Sequence, residues 1–301
     1  MAKIELNSGV YSFTDVDGKT RKSKSESHIQ YLFKKSYGKN VIAATTDAVA
    51  VAESEFSINE RFEFIENYVS MVADKIQPSV ILTGSGGIGK TYTVNKSLKA
   101  EGFVDVSNLE SFEEGVDLPR KHYRVIKGYS TAKALYRILF ENKDSVLILD
   151  DCDSVFKDAD AANVLKSALD SSDERIVCWN AESRGDEDLP RSFRYTGGVV
   201  FISNLSKDKI PQALRTRAVC VDVSMKLEEK IERMKHILED SEFMPETEID
   251  IKRSALKIID QYKAQAREVS MRSLIQVIRI GQKFTGEKFE KMSRYALTCG
   301  G

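Results

Sequence analysis

The stretch ILTGSGGIGKT, residues 81–91, is an apolar run that breaks into four glycines and then a lysine and a threonine. Gly84, Gly89, Lys90 and Thr91 fit the pattern G-x-x-x-x-G-K-[ST], whose glycines let the backbone turn its N–H groups inward as a cradle for phosphate. The four residues Val80 to Thr83 are β-branched or leucine, as a fully buried strand requires. The following YTVNKSLKAEGF puts Val94, Leu98 and Phe103 near one helical face. A strand, a glycine loop and the amino end of a helix are the context in which this pattern binds phosphate. The candidate nucleotide contacts are therefore Gly84, Ser85, Gly86, Gly87, Ile88, Gly89, Lys90, Thr91 and Tyr92. Lys90 is the charge on the outer phosphates, and the Thr91 hydroxyl is a ligand for Mg²⁺.

Working outward, VLILDDCD at 146–153 carries an apolar strand into Asp150 and Asp151, 60 residues beyond Lys90. In an open α/β sheet the carboxyl ends of the strands face the ligand. That assigns Asp150 to Mg²⁺ through its water shell and Asp151 to the attacking water. VVFISN ends on Asn204, a neutral amide for the same edge, which can bond a phosphate or the water without adding repulsion. The alternative for Asn204 is a turn cap.

Strand signals at HYRVIKG, SVLILDD, GGVVFISN and AVCVDVSM alternate with helical ones at STAKALYRILFENK, DADAANVLKSALDS and KIPQALRTR. Unbroken apolar strands separated by helices predict a parallel sheet covered on both faces. Ser57 with Glu60 predicts a capping box opening a helix over INERFEFIENYVSMVADKIQ. After residue 224 every segment is helical, with Ser224 and Ser270 as expected N-caps. The expected organisation is an amino-terminal region over 1–55, an α/β domain over 56–223 and a small helical domain over 224–301.

The chain of 301 residues has a net charge of −1, 42% apolar and 30% charged residues, so no global field draws it to nucleic acid. Residues 19–39 hold seven basic residues against Glu26, a solvated face or a docking surface. VYSFTDVDGKTRKS predicts a hairpin about Asp17-Gly18, SHIQYLFKKSYG a short helix, and VIAATTDAVAVAES a connector. No apolar run reaches membrane-spanning length and no secretory signal opens the chain, so a cytoplasmic protein without a membrane partner is expected. Four scattered cysteines and three histidines give no metal-binding spacing.

Residues from about 57 to 297 resemble the AAA+ ATPases: GSGGIGKT resembles Walker A, VLILDD Walker B, FISN sensor 1, and the helical tail the lid. The resemblance implies ATP as the nucleotide, Mg²⁺ as its metal, and a homo-oligomeric ring, expected to be a hexamer. SMRSL resembles sensor 2, which implies that Arg272 reaches the γ-phosphate of its own subunit. ALRTRA resembles the arginine-finger segment, which implies that Arg217, or as second choice Arg215, enters the neighbouring site. KGYS stands where the family places a pore loop, so Tyr129 and Lys127 become substrate contacts, Tyr129 having sheet-edge packing as its alternative. Residues 175–198 resemble an inserted hairpin found in helicases and protein unfoldases. The expected function is ATP-driven remodelling of a protein or nucleoprotein client. A DNA or RNA motor, a helicase loader and a slow ATP-dependent assembly switch are the alternatives.

Overall fold

The computed structural model describes residues 5–7, 10–14, 19–24, 29, 32, 54–108, 118–128, 131–172, 174–179 and 189–299. The chain divides into two compact units, Met1–Glu53 and Ser54–Gly301. In the first, β1 (Glu5–Asn7), β2 (Val10–Thr14) and β3 (Thr20–Ser23) form an antiparallel sheet in that order. The expected hairpin is there, with Thr14 opposite Thr20, although Asp17 and Gly18 lie outside the described residues. Phe13 and Ile29 are buried together. Of the expected short helix only Ile29 and Leu32 are described, both helical, and the connector falls outside the described residues.

The second unit is built on six parallel strands: β4 (Ser79–Thr83), β5 (Val104–Asp105), β6 (His122–Lys127), β7 (Val146–Asp150), β10 (Gly198–Ile202) and β11 (Val219–Asp222). Their order is β11-β4-β10-β7-β6-β5. Every residue of β4, β7 and β10 is buried, which is why each reads as an unbroken apolar run. Alternation then sorts the side chains. Ile81, Leu147, Leu149, Val199 and Phe201 enter one core, whereas Val80, Leu82, Val146, Ile148, Val200 and Ile202 enter the other.

Helix α1 (Ile58–Ala73) and α2 (Lys90–Ala100) supply side chains to the second core; α3 (Ala132–Glu141) and α4 (Ala159–Ala168) supply the first. The capping box of α1 is formed: the Ser57 N–H donates to Glu60 Oε2 at 2.7 Å and the Glu60 N–H to Ser57 Oγ at 3.3 Å. Thr131 caps α3, its Oγ1 accepting from the Ala134 N–H at 3.2 Å. Within 175–198, β8 (Ile176–Cys178) pairs with β9 (Ser192–Arg194) as the two arms of the inserted hairpin.

A short helix α5 (Gln212–Arg215) leads into β11, and four helices complete the chain: α6 (Leu227–Leu238), α7 (Ile249–Tyr262), α8 (Met271–Lys283) and α9 (Gly286–Thr298). They share a third core that includes Ile231, Met234, Ala255, Ile259, Leu274 and Ile278. Ser270 caps α8, accepting from the Ser273 N–H. Ser224 does not cap α6. Its hydroxyl donates to Asp222 Oδ1 at 2.7 Å, and the helix starts two residues later than that cap implied, where Glu229 accepts the Lys226 N–H at 2.6 Å. Among the described residues, no helix is long and apolar enough to cross a membrane.

Candidate nucleotide site

Strand register assembles the site. Ile202 of β10 stands opposite Leu82 on one side and Asp150 on the other, and Asp150 stands opposite Lys127. The glycine loop after β4, the acids ending β7 and Asn204 just past β10 therefore arrive side by side at the carboxyl edge. A cavity of about 310 Å³ opens there, bounded by loop residues Gly87 to Tyr92, by Lys127, Asp150, Asp151 and Asn204, and by Met271 and Arg272 from α8.

Two of the loop glycines are required by close packing within the protein. Gly84 has φ +132°, and a Cβ there would lie 3.0 Å from the Ser224 nitrogen and the Val223 carbonyl carbon. Gly87 has φ +71°, and its Cβ would meet the Ser270 Cβ at 3.1 Å. The Gly87 carbonyl accepts from the Met271 N–H at 2.7 Å, which joins the phosphate-loop candidate directly to the start of α8.

Lys90 is buried and donates to the carbonyls of Gly84 at 2.6 Å and Ser85 at 2.9 Å, and to Asn204 Oδ1 at 3.0 Å. Burial draws its ammonium down to about 8, against the opposing charges of Asp151, Asp150 and Asp153. Thr91 Oγ1 donates to Asp150 Oδ2 at 3.1 Å. Burial raises the Asp150 pKa, and the Thr91 hydrogen bond opposes that. These two oxygen donors, adjacent at the cavity wall, suit a hard divalent cation.

Asp151 is held by the Asn204 amide, which donates to Oδ1, and its own N–H donates to the Ile202 carbonyl at 3.1 Å. Its backbone has φ 57°, a left-handed conformation that aspartate tolerates better than most residues. The Asn204 and Ile202 contacts sustain this conformation, and Asp151 lines the cavity.

The structure thus brings Lys90, Thr91, Asp150, Asp151, Asn204 and Arg272 to one place. Lys127 joins them: its Nζ lies 3.9 Å from Asp150 Oδ2 and lines the cavity. Tyr129 lies outside the described residues. Arg215 and Arg217 are elsewhere. Both precede β11, whose Val219 pairs with Val80 near the start of β4, so they stand at the amino edge of the sheet. Arg217 donates to the Ala213 carbonyl at 2.7 Å and pairs with Asp170 at 3.2 Å, whereas Arg215 has its Nε buried without a partner. Sequence reasoning did not single out Asp153, whose charge acts on Lys90; the third acid of DDCD was its only signal.

Residues 80–228 match the model of the ATPase family associated with various cellular activities (AAA). An uncharacterised 36.7 kDa protein of Enterobacteria phage T4 is 29% identical over 233 residues, covering 73% of this chain; the match spans 65% of that relative's length. A point mutant of Thermotoga maritima RuvB is 15% identical, with TM-score 0.46, over 80% of this chain and 72% of that one. A Drosophila ORC chain, in a structure bound to DNA, is 16% identical with TM-score 0.44, over 81% and 62%.

Proposed function

We propose, for a chain that carries a P-loop AAA+ ATPase domain, that it hydrolyses ATP at the subunit interfaces of a cytoplasmic homo-oligomeric ring, hexameric by analogy with the family, and so remodels a protein or nucleoprotein client. The observation that carries this reading is the separation of charges. Lys90, Asp150, Asp151 and Arg272 share one cavity at the carboxyl edge, while Arg215 and Arg217 stand at the opposite edge of the same sheet. A five-residue strand is about 17 Å long, so neither arginine serves the cavity of its own subunit. A neighbour's can.

In this reading the amides of the glycine loop and the amino end of α2 receive the phosphates, and Lys90 exchanges its carbonyl partners for phosphate oxygens. Asp151, oriented by Asn204, accepts a hydrogen bond from the attacking water. Thr91 and Asp150 would hold Mg²⁺, which when bound neutralises charge on the phosphate oxygens. Arg272 approaches from α8 in cis, and Arg217 from the neighbour stabilises the transition state, an effect of about 10³ to 10⁵ in rate. Arg217 is preferred to Arg215 because its guanidinium is fixed at the surface by Asp170 and Ala213.

The test is steady-state ATP turnover per subunit over a range of protein concentrations, with single-stranded DNA, RNA and an unfolded polypeptide added in parallel. Turnover should rise with concentration as rings form, and Lys90→Ala should abolish it. Activity that stays constant through dissociation would sink the interfacial site. The stimulating polymer identifies the client, and turnover below about one per minute in a verified ring would turn the reading to an assembly switch.

A further inference from the structure

The loop between α4 and β8 is built more firmly than a connector needs. Ser79 Oγ, at the start of β4, donates to the Leu169 carbonyl at 2.9 Å. Arg175 is buried; it donates to the Ala168 carbonyl at 2.9 Å and to the Gly197 carbonyl, and its guanidinium lies 5.0 Å from the centre of the Tyr195 ring. Both ends of the loop are thereby pinned to the amino edge of the sheet. Between them stands Asp170, whose Oδ2 accepts from Ser172 Oγ at 2.7 Å and whose Oδ1 faces Arg217 Nε at 3.2 Å.

Arg217 thus has two fixed points. Asp170 holds Nε, and the Ala213 carbonyl takes a hydrogen bond from Nη1 at 2.7 Å. A guanidinium has five N–H donors, so one hydrogen bond and one ion pair restrain the group and leave further donors for an anion. The side chain is 39% exposed. As a stability element such an exposed pair contributes little. As a way to hold a long side chain in one orientation, it removes rotamer freedom that would otherwise be lost at each catalytic encounter.

We propose that Asp170 is the positioning residue of Arg217: it presets the guanidinium that a subunit delivers to its neighbour's nucleotide. This rests on the reading of Arg217 as the residue acting in trans. Asp170 touches no nucleotide itself, and it belongs to the same subunit as the arginine, hence to the donor and not to the acceptor of the interface.

The experiment compares full-length Asp170→Ala, Asp170→Asn, Arg217→Ala and the Asp170→Ala/Arg217→Ala double variant for kcat, KM for ATP and oligomeric state. Asp170→Ala should lower kcat about tenfold, with KM within twofold of the parent, because the binding residues lie at the other edge. Asp170→Asn, which keeps the shape of the side chain but removes the charge that pairs with Arg217, should lose about as much as Asp170→Ala. In the Arg217→Ala background, removing Asp170 should cost nothing further. Mixed with Lys90→Ala subunits, which hydrolyse nothing but still donate a normal arginine, Asp170→Ala subunits should regain turnover. If Arg217→Ala is inactive while Asp170→Ala keeps the parental kcat, the positioning role is wrong and the trans arginine stands. A rise in kcat would show that Asp170 restrains Arg217, and also overturns the role. An additive loss in the double variant would mark a merely structural effect. Unchanged turnover in Arg217→Ala would bring down the trans reading itself.

Discussion

At the residue scale the site depends on groups held against their usual preferences. Lys90 sits with its ammonium drawn down to about 8 by burial, although Asp151, Asp150 and Asp153 oppose the shift. An unfolded lysine, near 10.5, binds a proton more readily. Between about pH 8 and 10.5 the unfolded chain therefore carries more protons, and this residue's contribution to stability rises with pH through that window. Nucleotide phosphates reverse the balance by favouring the charged amine. At pH 8.5, ATP binding should take up roughly three quarters of a proton, read by calorimetry in buffers of different ionisation enthalpy. The uptake should vanish in Lys90→Arg, since arginine stays charged; no uptake in the parent would mean that Lys90 is already protonated. Gly84 presents a steric counterpart. Gly84→Ala combines a φ of +132° with backbone atoms 3.0 Å from the new Cβ, whereas Gly102→Ala meets only a φ of +81° and open space. The first should cost about 2–3 kcal/mol and the second about 1 kcal/mol in denaturant unfolding. Equal costs would show that the segment after β11 moves aside freely.

Helices and strands differ in how much of this could be read beforehand. The central strands were legible because burial on both faces favours apolar side chains, so β4, β7 and β10 appear as apolar runs with polar residues only at their ends. The two-residue edge strand β5 is exposed and carries no pattern. The start of α6 was misread because Asp222 engages the hydroxyl of Ser224. The approach of Lys127 to Asp150 follows from the pairing of β6 with β7, which no local sequence encodes. Asp170 follows the end of α4 beside two serines, a context shared by countless surface loops, and only the tertiary position of Arg217 gives it meaning. Caps, by contrast, are local, and two of them separate stability from function. Ser57→Ala removes the cap of α1 at an exposed helix end, and Ser270→Ala removes that of α8 beside the glycine loop. Each should lower stability by about 1 kcal/mol. Only Ser270→Ala should also weaken ATP affinity, because the next residue's N–H bonds the Gly87 carbonyl. Equal affinities in the two variants would mean that the start of α8 is set by packing alone.

Within the second unit, the cavity draws residues from the α/β part and from α8 of the carboxyl-terminal helices, so its shape depends on how those two parts are joined. Several polar connections do this, Asn59 of α1 with Glu232 and Arg233 of α6 among them. Arg61 of α1 donates to the Ser224 carbonyl at 2.6 Å and pairs with Glu229 of α6; Lys96 of α2 pairs with Asp240 at 2.5 Å; and Met271 reaches Gly87. Arg61 is the most buried of the charged members, with Nε unpartnered, so its charge is sustained by these contacts and little else. Arg61→Ala would strip a buried carbonyl and a half-buried carboxylate of their donor, a loss of about 2 kcal/mol. Lys96→Ala breaks a pair whose lysine side chain is 38% exposed and should cost less than about 1 kcal/mol. The larger consequence is geometric. Lys90, Thr91 and Asp150 remain anchored by the sheet, whereas Arg272 travels with the helices, so loosening the joint leaves phosphate binding in place but blurs the position of Arg272. Arg61→Ala should therefore lower kcat more than it raises KM for ATP, together with a drop in Tm, while Lys96→Ala changes each only slightly. A rise in KM alone, with kcat preserved, would mean that the helices close over the nucleotide without Arg272 reaching the reacting phosphate.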